Sequence, residues 1–541
     1  MTTIHTSPEA LATAGGRTTS GRGLAAIGGW AITSDHKRIG RLFVGVALVV
    51  AIAAAVLGLL LGLERIGTDD TVLDAGSLPQ VFSAFRVALV YGLAAPLLLG
   101  LAVAIVPLQL GARSLAFPRV ALAGFWAWVG GLAMVVVSLA RNGGPGGGDA
   151  DMVDLFLAGH GVLLVGLAAA AGCVATSVLT SRAPGMTMRR VPVFAWSALV
   201  GSLGILLVTP VLFGVLVYQF VDHRSGTGVG FGGNTGIGPW SSWAFTVPTV
   251  LVFAVPALGV AVELLTVTFR TRLARRGAMF AGIGLAGAAA FAGVTQQDSF
   301  PVEFDQGFGD FVDDAIPFAL LVGLPVLGVL AVLGLGGLAA RRGRPRPTGP
   351  FLLAFFGLGM VFVGALGTAA YQIVDLELLG TVFEEGALVY VVDGAMLAGL
   401  AGIAYWAPKL WGRTLPNLAV VGLALLGVLG TILASLPYYV AGFLDQPAGA
   451  AVYAEYDAAA LLNTLVLVGH GVVGLTVLAF AALAVRTLTG AGAAAGDDPW
   501  DGHTLEWATS SPAPTDNFAD VPSVRSPEPL LDLKPAPGSD A

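Results

Sequence analysis

Six histidines occur in 541 residues. Imidazole is a good ligand for transition metals, so their positions bear directly on metal chemistry. His36 and His503 lie in polar segments, His5 near the N-terminus and His223 in a loop. His160 and His470 fall in long apolar runs, each inside a Gly-His-Gly-Val element. Arg86, Asp393, the pair Glu384-Glu385 and the pair Gln296-Gln297 are further polar residues in apolar surroundings. A charge at the middle of a bilayer costs ~2.5–3.5 kcal/mol on insertion scales, so such residues are normally paired inside a helix bundle. The candidate intramembrane polar site is therefore Arg86, Asp393, Glu385, Gln296, Gln297, His160 and His470. Within it Arg86 is expected to pair with Asp393 or Glu385. His160 and His470 are expected to make buried hydrogen bonds, with metal ligation as the alternative. Cys173 is the single cysteine, so one chain builds neither a disulfide nor a thiolate metal site.

The elements that position these residues are membrane helices. Hydrophobic residues make up 56% of the chain and charged residues 11%, with mean hydropathy +0.83. That balance excludes a soluble globular domain and fits a polytopic membrane protein. The predicted fold is all-α, with twelve transmembrane helices near 41–63, 81–110, 119–141, 153–181, 192–220, 242–268, 277–296, 314–339, 350–373, 386–408, 415–442 and 456–485. The division is a polar N-terminal segment 1–40, a membrane domain 41–488 and a tail 489–541 that reads as an extended segment outside the bilayer. No short apolar core with a small-residue cleavage site precedes the first span, so no cleaved signal peptide is expected.

The connections alternate in charge. One set carries Lys37, Arg38, Arg113, Arg119, Arg182, Arg189, Arg190, Arg270, Arg275, Arg341, Arg342, Lys409 and Arg413. The other carries Asp69, Asp70, Asp149, Asp222, Glu303, Asp310, Asp375, Glu377, Asp445 and Glu455. The positive-inside rule then places both termini in the cytoplasm, with the chain integral to the cell membrane. The net charge of −7 arises largely from the outward loops. No nucleotide-binding glycine motif is present, and nucleic acid is not an expected partner.

Five segments carry a resemblance. They are Ser34-Asp35-His36-Lys37-Arg38-Ile39-Gly40, the run from Val106-Pro107-Leu108-Gln109 to Phe117-Pro118-Arg119, Arg182-Ala183-Pro184-Gly185-Met186-Thr187, Pro192-Val193-Phe194-Ala195-Trp196-Ser197, and Pro499-Trp500-Asp501-Gly502-His503-Thr504-Leu505-Glu506-Trp507 continuing to Pro512. Together they resemble subunit I of the heme-copper oxidases, the cytochrome c oxidase type. The resemblance extends from about Trp30 to Pro529 and implies a twelve-helix bundle, two hemes, a copper and six histidine ligands.

At the positions that match those ligands the chain has other residues. The low-spin heme ligand of the second span falls on Phe85. The His-Pro-Glu-Val-Tyr element of the sixth span reads Val247-Pro248-Thr249-Val250-Leu251. The paired copper histidines fall at Thr295-Gln296 or Gln296-Gln297, and the two heme histidines of the tenth span at Gly386 and Leu388. The acid at the mouth of one proton path aligns with Ser114, the lysine of the other near Pro325, and the arginine pair at the heme propionates with Tyr438-Tyr439. Such a bundle has a volume problem. A pocket of ~300–1,000 Å³ left empty, at ~24 cal/mol per Å³, would cost on the order of 7–24 kcal/mol. Phe85, Leu388, Tyr438 and Tyr439 are the expected fillers.

The implied function is a cytochrome c oxidase subunit I-like protein of the respiratory electron-transport type whose own catalysis is in doubt. With no cofactor expected, it reads as a pseudoenzyme with a structural, assembly or regulatory role. Its expected partners are membrane lipid and either oxidase-like subunits II and III or another membrane protein. The alternative is a binding or transport protein holding a lipid, a quinone or an ion where the hemes would be. The third reading is an active oxidase subunit with re-invented heme ligation through His160 or His470.

Overall fold

The computed structural model describes residues 28–66, 72–74, 76–226, 230–273, 275–449, 458–520 and 523–533. His5, Asp69, Asp70 and Glu455 lie outside the described residues. Among the described residues twelve helices are long and apolar enough to cross a membrane. They are α1 (His36–Glu64), α2 (Ser77–Gln109), α3 (Pro118–Leu139), α4 (Ala150–Thr180), α5 (Val193–Ser225), α6 (Leu251–Phe269), α7 (Arg276–Thr295), α8 (Phe308–Ala340), α9 (Gly349–Tyr371), α10 (Phe383–Trp411), α11 (Asn417–Gly442) and α12 (Ala459–Arg486).

Local chemistry sets several of these boundaries. Asp35 caps α1 by accepting from the Lys37 backbone N–H at 3.0 Å, and Asp149 caps α4 through Met152 at 3.2 Å. Gly412 ends α10 in the left-handed conformation, at φ 69°. The largest departure from the predicted spans is α6. It starts at Leu251 rather than near 242, because Ser242–Phe245 is a 3₁₀ turn and Pro248 follows before the helix begins. Within α2, residues Ala88–Ala94 form a π segment, and the Tyr91 carbonyl accepts from Trp128 Nε1 at 2.9 Å.

α2, α6 and α10 form the centre, where they pack on one another and their most apolar stretches are entirely buried. The other nine helices surround them. Neighbours approach closely through small residues, since lipid supplies little hydrophobic drive for helix association. A Cβ at Gly131 of α3 would stand 2.4 Å from the Leu163 backbone nitrogen of α4. One at Gly394 of α10 would stand 2.7 Å from the Gly357 carbonyl oxygen of α9. Large apolar side chains such as Val136, Tyr218, Leu327 and Leu475 cover the outer faces.

The tail differs from an extended segment lying free of the bundle. Ala493–Ala494 pairs antiparallel with Arg413–Thr414, and the following residues fold back across the ends of the central helices. His503, Glu506, Trp507 and Asn517 are buried there. The reason is polar. Lys409, at the end of α10, is fully buried and donates to the tail carbonyls of Asp497 and Thr509 at 2.7 and 2.5 Å.

Candidate functional site

At the end where α1 stops and α10 starts, Arg65 and Glu385 are both buried and face each other. Arg65 Nη1 donates to Glu385 Oε2 and Nη2 to Oε1, each at 3.0 Å. Nη1 also donates to the Tyr438 hydroxyl of α11 at 2.6 Å. Asn463 of α12 donates to the Arg65 carbonyl at 3.1 Å, and the Gly449 N–H to Glu385 Oε1 at 3.2 Å. Burial alone would lower the Arg65 pKa, but the Glu385 charge and the Tyr438 contact outweigh it and hold the guanidinium firmly charged. Four helix ends are thus tied by one planar fork and its satellites.

The expected ion pair of Arg86 is not formed. Among the described residues Arg86 has no carboxylate within 4.0 Å, and its Nε is shut from solvent without a hydrogen-bond partner. Its guanidinium lies over the Phe82 ring, 4.5 Å from the centroid. Arg65 has already taken Glu385 in bidentate fashion, so Arg86 senses Glu385 and Glu384 only through space. Asp393 meets Thr431 Oγ1 at 3.4 Å rather than an arginine. Arg65 was missed because it stands just past an apolar run. The signal was available: Arg65, Arg141 and Arg224 are arginines among the acidic connections, and Arg224 likewise finds a carboxylate there, Asp154 at 2.5 Å.

The space beside this pair is filled by aromatic rings. Tyr439 stacks on Phe383, with centroids 4.0 Å apart and planes 7° apart. Its hydroxyl donates to the Val363 carbonyl at 3.3 Å. A Cβ at Gly386 would lie 2.9 Å from Tyr439 Cδ1 and 3.0 Å from the Ser435 carbonyl oxygen, so no larger side chain fits that position as it stands. Phe85 packs edge-on against His470 at 5.5 Å, and the His470 ring in turn occupies the place a Cβ at Gly58 would need, 2.7 Å away. Leu388 and Val247 are buried, and the Val247 carbonyl accepts from the Tyr371 hydroxyl.

Two further expectations need correction. Gln296 and Gln297 follow the last residue of α7 and are exposed, so they do not line the bundle interior. His160 makes no hydrogen bond among the described residues; both ring nitrogens are buried in a box of Tyr91, Phe156 and Phe245, with centroids 5.2–5.8 Å away.

A second polar cluster lies at the opposite end, under the tail. Glu506 is fully buried; its Oε1 accepts from Gln109 Nε2 of α2 at 3.0 Å and from Trp406 Nε1 of α10 at 3.2 Å. Thr504 donates to Glu263 of α6 at 3.0 Å. Glu506 Oε2 and Gln109 Oε1 are buried without a partner among the described residues. Burial pushes the Glu506 carboxyl above its ordinary 4.5, and the bonds from Gln109 and Trp406 offset that only in part. Glu506 stands inside a signature segment, and its place between Leu505 and Trp507 is the only sign of its burial in the sequence.

Residues 38–472 match the family model described as cytochrome c and quinol oxidase polypeptide I. The chain belongs to that family. Among similar proteins are cytochrome c oxidase subunit 1 of Corynebacterium diphtheriae, 30% identical over 93% of this chain and 91% of its own length, and that of Corynebacterium glutamicum, 28% identical over 93% and 88%. The Bacillus subtilis subunit 1 is 28% identical over 92% of this chain and 82% of its own. The protein is thus an integral membrane member of the oxidase polypeptide I family with a twelve-helix bundle.

Family membership makes the ligand positions a test of fit. Phe85, Val247, Gly386 and Leu388 offer no metal-binding atom, and Gln296 is exposed. Among the described residues no group of three or more His, Cys, Asp or Glu side chains is placed to hold a metal ion. At the positions where the resemblance places the family's heme and copper ligands, the residues present do not fit those groups.

Proposed function

We propose that this chain is a catalytically inactive member of the oxidase polypeptide I family, binding neither heme nor copper. In this reading it is a structural, assembly or regulatory component of the cell membrane, beside oxidase-like subunits II and III or another membrane protein. Residues 1–40 and 489–541 are its cytoplasmic segments. Twelve candidate crossings among the described residues, and the arginine-rich connections under the positive-inside rule, support that placement.

The observation that carries the reading is Tyr439 against Gly386. A ligand side chain at 386 and the Tyr439 ring require the same space. The alternative of a lipid, quinone or ion in that region meets the same rings. Re-invented ligation through His160 or His470 has no support from their surroundings, which are aromatic rings rather than a second imidazole.

The test is an optical spectrum and a metal analysis of the purified full-length chain. Reduced-minus-oxidised spectra without heme bands, and copper far below one per chain, are expected. Heme or copper near one per chain overturns the proposal.

A further inference from the structure

Two groups of arginines on the signature-bearing side differ in their partners. Arg270 pairs with Asp501 of the tail at 3.0 Å, Arg272 with Glu528 at 3.8 Å and with Asp532, and Arg276 donates to the carbonyls of Arg189 and Val191. The tail and its neighbouring loop satisfy these cations. Arg275, Arg341 and Arg342 stand close by and have no carboxylate within 4.0 Å among the described residues.

These three surround one cavity. α7 and α8 are antiparallel neighbours held close at their middles, where a Cβ at Gly328 would stand 2.3 Å from the Ala286 nitrogen. A cavity of about 190 Å³ lies at their arginine ends. Arg275, just before α7, and Arg341 and Arg342, just after α8, form its polar rim. Met279, Leu335 and Leu338 form its apolar wall, with Leu338 facing outwards at 47% exposure.

We propose that this cavity is a binding site for an anionic phospholipid, whose phosphate is held by Arg275, Arg341 and Arg342 and whose acyl chain lies along Met279, Leu335 and Leu338. Three like charges around one small space repel one another until an anion enters. Guanidinium matches phosphate oxygens in planar, two-point fashion. A free phosphate explains the rim and not the wall. A neutral lipid explains the wall and not the rim. The site sits where two membrane helices end, which is the depth of lipid headgroups, and basic pockets between helices are known hosts for anionic ones. The inference does not depend on whether the chain is catalytic.

The experiment uses the full-length chain, delipidated in detergent and titrated with phosphatidylglycerol or phosphatidylcholine, with bound lipid counted by native mass spectrometry. Wild type is expected to retain phosphatidylglycerol in preference to phosphatidylcholine, and the Arg341→Ala/Arg342→Ala variant to bind it roughly tenfold more weakly or worse, given the contribution of each basic residue near a membrane surface. Arg275→Ala, the milder change, is expected to show a smaller loss and serves if the double variant fails to fold. Millimolar inorganic phosphate is the third arm. Binding of phosphate alone that excludes the lipid, equal retention of the two lipids, or unchanged phosphatidylglycerol binding in a folded arginine variant would each overturn the proposal.

Discussion

Arg65 and Glu385 meet through two parallel hydrogen bonds of 3.0 Å, both side chains buried, one just past the end of α1 and the other in the first turn of α10. Removing one partner strands the other charge in a nearly dry place. Arg65→Ala or Glu385→Ala is expected to lower stability by ~3–5 kcal/mol. The paired replacement Arg65→Met/Glu385→Leu, which removes both charges, is expected to cost far less than either single change. Thermal melting in detergent, read by tryptophan fluorescence, checks the ordering; equal melting of all four proteins would refute it.

The number of spans and the cytochrome oxidase resemblance were legible because both are written in long stretches of sequence. Twenty apolar residues must become a helix in lipid, and the signature segments are contiguous. Tyr439 was legible as a bulky residue that has to occupy space, and it stacks on Phe383, whereas Tyr438 meets Arg65 instead. The ion pair was legible only in half. Glu385 is part of a conspicuous Glu384-Glu385 step, whereas its partner lies 320 residues earlier and was displaced in the reading by Arg86, which looks more intramembrane. Which of two arginines reaches a carboxylate depends on helix rotation, and apolar helices with little amphipathic contrast conceal their rotation. The same cause hid the aromatic box around His160, whereas Gln296 is exposed because α7 ends at Thr295, just before it.

Tyr439 and Gly386 form a second coupled pair. Tyr439→Ala is expected to destabilise by less than the ~3–5 kcal/mol of a fully buried large ring, because Tyr439 is only partly buried. Gly386→His alone is expected to destabilise sharply, because its Cβ would approach Tyr439 Cδ1 to 2.9 Å. Together the two changes are expected to be less harmful than the sum of the singles, since the first opens the space the second needs. A double-mutant cycle on melting temperature reads this directly, and strict additivity would show that Tyr439 does not limit position 386.

The close crossing of α3 and α4 offers a simpler check. A Cβ at Gly131 would meet the Leu163 backbone at 2.4 Å, and backbone cannot rotate away as a side chain can. Gly131→Ala is expected to cost ~1–3 kcal/mol, the range for overpacking. Gly130→Ala, whose Cβ would meet nothing within 4 Å, is the matched control and is expected to be neutral or slightly stabilising. Melting of the two variants in parallel separates packing from helix propensity.

Docking of the tail is expected to depend on pH through Glu506. Detached, its carboxyl has the ordinary value of 4.5; docked, burial raises it. The docked form therefore holds the proton more tightly, so docking is strongest below pH 4.5 and weakens as pH climbs through the raised value. Glu263 adds a second carboxylate to the pocket, while Lys409 acts in the opposite sense by attracting the Glu506 charge. Tyr405, whose hydroxyl accepts from Trp507 Nε1 at 3.1 Å, and the neutral donors Gln109, Thr504 and Trp406 complete the groups facing the site. Glu506→Gln keeps the shape and removes the titration. Limited proteolysis of the tail between pH 5 and 9 is expected to accelerate with pH in wild type and to change much less in the variant. The same acceleration in both proteins would place the titrating group elsewhere in the cluster, and no acceleration in wild type would mean that the hydrogen bonds to Glu506 fully offset its burial.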